Sequence, residues 1–188
     1  MRSFVLALAL LAVLAVPPPA AAAGTGAFQI ALFSPAQLLP PEANVVGARV
    51  DLLYGRNHNV IGIDLGLVNH STGMEVGWQL GGVGYVEQSF TGWQDNVVNV
   101  TQGTFTGFQS GLFNHAARTT TAFQLGGVNH GGEVVGFQLG WVNVTDSMRG
   151  LQIGVVNWTK QMHGLQIGVG NIIEKGNTPF LPVVNWSR

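Results

Sequence analysis

The chain contains no cysteine among its 188 residues. This excludes disulfide staples, thiolate metal sites and lipid attachment at a cysteine, so an exported form must hold its fold without covalent cross-links. Charge is scarce as well, at 9% of residues, against roughly a quarter in an ordinary soluble domain. No basic patch exists, which removes the electrostatic footprint of a nucleic-acid binder. Phosphate-loop, His-Glu-x-x-His and Gly-x-Ser-x-Gly motifs are all missing. The chain therefore reads as non-enzymatic, with no cofactor and no identified small-molecule substrate.

Long apolar runs are missing too, with one exception at residues 4–16, FVLALALLAVLAV. Arg2 precedes it, and the small residues Ala21 and Ala23 follow it, as a secretory signal requires. The run is shorter than the about 20 residues of a membrane-spanning helix. Residues 1–23 are expected to be a cleaved signal peptide, placing the protein at the outer membrane or cell surface, or else in the periplasm or medium. Outer-membrane lipid or other envelope components are the expected partners.

What the chain does have is a repeat. Anchored on Gly, apolar, Gln, apolar, Gly, units start at Gly47, Gly62, Gly77, Gly92, Gly107, Ala122, Gly136, Gly150 and Gly164. A degenerate first copy starts at Ala27 and a last one at Thr178. Residues 24–46 thus hold the first copy and a Pro-rich connection, and residues 47–188 the β-repeat domain. Position three is mostly Gln (Gln138, Gln152, Gln166) and position eight mostly Asn (Asn143, Asn157, Asn171). Recurrence within one chain means that each copy meets nearly the same surroundings. Positions two, four and six are apolar, while one, three and five are small or polar. That alternation marks a β-strand; two glycines per fourteen residues, with Val and Thr between them, would make a poor helix.

A polar segment follows each strand, as at residues 144–147 and 158–161. Strands of about ten residues cross a bilayer when tilted. The expected fold is therefore all-β, an antiparallel meander of 14–15-residue repeats closing as an up-and-down barrel. The alternative is a parallel β-solenoid with one coil per unit, in which Gln and Asn would stack as ladders. Against it stands the single clear turn per unit.

The units GFQLGWVN (136–143), GLQIGVVN (150–157) and GLQIGVGN (164–171) resemble bacterial surface-repeat proteins whose copies read close to GLQIGLVN. The terminal PFLPVVNW (179–186) is similar to the Pro- and aromatic-rich end of such proteins. The resemblance implies an exported surface or outer-membrane protein of structural role, with no catalytic residue to carry over. A small passive pore, a lipid-associated barrel and a soluble solenoid adhesin or binding module are the alternatives.

Arg49, Asp51 and Asp64 break the pattern. Arg49 and Asp51 share a strand face at i, i+2, and Asp64 repeats position three one unit later. They are the candidate interior charge cluster. His70, His115 and His130 follow the repeat's Asn and read as turn residues; a solenoid would stack the last two. Asn-x-Ser/Thr triplets at Asn69, Asn99, Asn143, Asn157 and Asn185 are read as by-products of the repeat.

Overall fold

The computed structural model describes residues 24–188, so the expected signal peptide at 1–23 lies outside the described residues. Nearly everything described is strand: β1 (Thr25–Phe33), β2 (Ala36–Gln37), β3 (Asn44–Asn57), β4 (Val60–Ser71), β5 (Glu75–Val86), β6 (Ser89–Thr101), β7 (Thr104–Ile173) and β8 (Phe180–Ser187). Strands β3 to β7 pair in parallel, each with its sequence neighbour. Gly62 lies beside Gly77, Gly77 beside Gly92, and Gly92 beside Gly107. The chain is a parallel β-solenoid in which one repeat unit makes one coil, and the 70 residues of β7 wind on without a break. The expected antiparallel barrel is corrected. Among the described residues the inward side chains fill the coil and leave no lumen.

Two features of the unit force the winding. At position one the glycines have φ between 131° and 148°, a region closed to L side chains. A Cβ on Gly150 would also lie 2.0 Å from the Gly136 carbonyl oxygen of the coil before it. At position five the chain bends with no turn residues at all. Gly140 and Gly154 sit there, and a Cβ on Gly154 would come within 2.7 Å of the Asn143 amide nitrogen. This is the coil's second corner, and sequence patterning showed only the polar one.

Four inward columns run along the axis. Position three stacks Gln side chains and position eight stacks Asn, all fully buried. The residue preceding Val76, Thr91 and their equivalents is mostly apolar, as Val60, Phe90, Phe105, Val134, Met148 and Met162. Phe90 and Phe105 stack there with centroids 5.4 Å apart. Small or apolar residues such as Ser71, Val86, Ala116 and Thr145 form the fourth column.

Both ends are covered. At the N-terminal end β1 pairs in parallel with β3, and the short β2 folds antiparallel onto β1. Gln29 Oε1 accepts the Leu39 backbone N–H at 2.7 Å, tying the Pro-rich connection over the first coil. At the C-terminal end the chain reverses after Ile173, and β8 returns antiparallel along the last coil. The copy starting at Thr178 is therefore not a coil but a cap. Paired ends protect the edges of a sheet that would otherwise add further strands.

Candidate functional site

The polar core is built by the repeat. In the Gln column each amide donates to the coil before it: Gln94 to Gln79, Gln109 to Gln94, Gln124 to Gln109, Gln138 to Gln124, Gln152 to Gln138 and Gln166 to Gln152, all at 2.7–2.8 Å. The Asn column runs the other way. Asn99 donates to Asn114, Asn114 to Asn129, Asn129 to Asn143, Asn143 to Asn157 and Asn157 to Asn171, each at 2.8 Å. Buried amides are tolerated because those inside each column have partners above and below; at the ends Gln166 Oε1 and Asn69 Oδ1 accept no hydrogen bond. One exception shows how strict this is. Gly84 lacks the position-eight Asn, and Asn96 of the next coil fills the space, donating to Gln79 at 3.0 Å and Asn99 at 2.7 Å.

The Gln ladder ends on charge. Gln79 Nε2 donates to both Glu75 carboxyl oxygens at 2.9 Å and to Asp64 at 3.2 Å. Arg49, the next residue down the column, grips Asp64 with two bonds, Nε to Oδ1 at 2.7 Å and one Nη to Oδ2 at 2.6 Å. Its other Nη donates to the His70 carbonyl at 2.9 Å. Asp51 Oδ2 lies 3.1 Å from Arg49 Nε, yet neither Asp51 carboxyl oxygen accepts a hydrogen bond. The structure thus brings Arg49, Asp51 and Asp64 together, in a packed core and not in a barrel lumen. Glu75 is the member that sequence reasoning missed. Its signal was register: it stands fifteen residues after Val60 and fifteen before Phe90, at an inward position.

One cation among three carboxyls cannot leave all three ionised. Burial pushes Asp51 up to about 7, with the Asp64 charge adding to it and Arg49 opposing. Burial, then Asp64, raises Glu75 well above the usual carboxylate range, against Arg49 and the Ser71 hydroxyl. Burial works against the Arg49 charge, but Asp64, Glu75 and Asp51 together hold its pKa above the ordinary value. The core therefore sets an Arg49–Asp64 ion pair beside two acids whose burial favours the protonated form.

Protonation of Asp51 and Glu75 makes folding pH-dependent. Both acids bind their protons more tightly folded than unfolded, where carboxyls titrate near about 4. Their contribution is whole below that value and is lost as pH rises through the folded values, about 7 for Asp51 and well above the usual carboxylate range for Glu75. Each costs up to about 1.4 kcal/mol per pH unit in its window. Thermal melts should show a higher Tm at pH 5 than at pH 8, and Asp51→Asn with Glu75→Gln should flatten that difference. A Tm that rises from pH 5 to pH 8 contradicts the assignment.

The outer surface divides sharply. Outward position two carries a ridge of rings: Trp78 and Trp93 are 6.0 Å apart, Trp93 and Phe108 5.3 Å, Phe108 and Phe123 5.3 Å, and Phe123 and Phe137 4.6 Å. A second ridge at position six exposes Leu67, Val97, Leu112, Trp141 and Val169, with Trp141 at 71%. The polar turns stack into a third edge bearing Arg118, Glu133, Asp146 and Lys160, where Lys160 reaches Asp146 at 2.6 Å. Asp95, outward beside the aromatic ridge, accepts the Ser110 hydroxyl at 2.8 Å.

The histidines part company. His70 is held by Tyr54 at 2.8 Å and Glu87 at 2.9 Å. His115 and His130 stack, with centroids 4.9 Å apart and Nδ1 atoms 2.8 Å apart. Partial burial, then His130, lowers the His115 pKa. No protein-family model, curated protein or solved structure matches the chain.

Proposed function

We propose that the chain is an exported, non-enzymatic solenoid that serves as a binding module at the cell envelope, lying on lipid through its aromatic ridge. The observation that carries this reading is the ridge itself, with Trp78 at 43%, Trp93 at 49% and Phe123 at 38% exposure. Val76, Ile61 and Val135 flank it on one side, and Leu80 and Leu125 on the other, all exposed. At about 4.8 Å per coil the face runs roughly 40 Å, and its three outward positions span about 13 Å. With the position-six ridge added, the apolar surface exceeds what a soluble monomer ordinarily exposes.

Two features favour lipid over a sugar chain. Phe108, Phe123 and Phe137 lie within 20° of parallel and spend their ring faces on one another. They present edges outward, which suit acyl chains, whereas a sugar ring stacks on an open aromatic face. The charges collect on the turn edge, giving the amphipathic section of a surface-lying element. The signal-like segment at 1–23 and the resemblance of the units to surface-repeat proteins also support export. Among the described residues no helix is long and apolar enough to cross a membrane.

Flotation with vesicles of phosphatidylethanolamine and phosphatidylglycerol tests this reading. The wild type should rise with the vesicles in low and high salt alike, because the contact is apolar. The double variant Trp78→Ser/Trp93→Ser should stay behind while keeping its β-type circular dichroism. A wild type that stays at the bottom of the gradient overturns the lipid reading. A concentration-dependent dimer abolished by the same variant would assign the ridge to a second copy of the chain.

A further inference from the structure

We propose that His115 and His130 form a surface site for a divalent transition-metal ion, with copper(II) the preferred occupant. The two residues hold the same position on consecutive coils, directly after Asn114 and Asn129 in the Asn ladder. That ladder fixes their spacing from within, since Asn114 donates to Asn129 at 2.8 Å. Parallel pairing of the coils therefore sets the imidazoles side by side before any ion arrives. The rings lie 25° from parallel with centroids 4.9 Å apart, and the two Nδ1 atoms face each other at 2.8 Å.

The 2.8 Å separation is that of the Nδ1–H···Nδ1 hydrogen bond between the metal-free rings. Rotation of the two side chains turns both Nδ1 lone pairs onto one ion at about 2.0 Å, without any shift of the coils. Imidazole nitrogens suit first-row transition metals, and copper(II) leads the affinity order for such donors. Without metal, one ring donates its Nδ1 proton to the Nδ1 of the other. With metal, both Nδ1 lone pairs go to the ion and each ring keeps its single proton on Nε2, so binding to the neutral pair releases no proton.

His130 is exposed and His115 half-buried, which leaves the remaining coordination positions to water or an outside ligand. Among the described residues no group of three or more His, Asp or Glu is placed to hold an ion, so the site is two-coordinate from the protein. His70, although at the same unit position, is committed to Tyr54 and Glu87, and His58 to the Thr72 hydroxyl at 3.1 Å. The pair is independent of the aromatic ridge, and lipid binding need not accompany it.

The test is a titration of the exported chain with copper(II) chloride, followed by electron paramagnetic resonance and by thermal melting. We expect one equivalent bound with hyperfine coupling to two imidazole nitrogens, together with a rise in Tm. His115→Ala and His130→Ala should each abolish the two-nitrogen signature and the rise, whereas His163→Ala should keep both. Metal-free melts of the two alanine variants should match the wild type, separating loss of a ligand from loss of the fold. An equivalent with the two-nitrogen signature retained in both alanine variants overturns the proposal, as does a wild type showing no such signature.

Discussion

Arg49→Met should cost about 3–5 kcal/mol in denaturant unfolding, the range for removing one partner of a buried ion pair. Arg49 is fully buried and supplies the two strongest bonds that Asp64 receives. Without it Asp64 keeps only the Gln79 amide. Adding Asp64→Asn should recover most of the loss, because a neutral amide in that place no longer strands a charge. If the single variant unfolds within about 1 kcal/mol of the wild type, a difference typical of surface changes, the cluster is not the terminus of the ladder described above.

Gln138→Leu should be comparably severe. It leaves Gln124 Oε1 without its donor and Gln152 Nε2 without its ladder acceptor. Each orphaned buried group costs about 1–3 kcal/mol, so the pair costs about 2–6 kcal/mol. Lys160→Ala breaks only an exposed ion pair on the turn edge and should change stability by less than about 0.5 kcal/mol. Because each coil contacts only its neighbours, the broken rung weakens two interfaces at once. Equal stability of the two variants in chemical denaturation would show that the recurring Gln carries no structural load.

Much of this was legible in the residues. The unit boundaries, the β-periodicity and the inward placement of Gln follow from alternation and recurrence, whereas alternation alone would put the position-eight Asn on the face of positions two, four and six. The direction of winding does not follow either, because a strand alternates its side chains identically in parallel and antiparallel neighbours. The deciding feature was the corner at position five. Gly140 and Gly154 read as small residues of a straight strand, but their real constraint is the Asn side chain and carbonyl packed against them. One visible turn per unit therefore favoured a meander, while the coil has two corners. Arg49, Asp51 and Asp64 were visible because they interrupt the repeat. Glu75 was not, because it follows the polar segment at 70–73 and looks like one more turn charge until coil register places it inside. The His115–His130 pair was conditional on the winding, since a meander would send the two residues to opposite ends.

The parallel solenoid itself is tested most directly by the distance between spin labels at Ser147 and Gln161. These residues occupy the same position on adjacent coils, next to the Asp146–Lys160 pair that joins the turns at 2.6 Å. Their backbones should lie about one strand spacing apart, near 4.8 Å, giving strong dipolar broadening in the continuous-wave spectrum. A separation near the length of a ten-residue strand, about 33 Å, would place the two turns at opposite ends of a meander and contradict the solenoid.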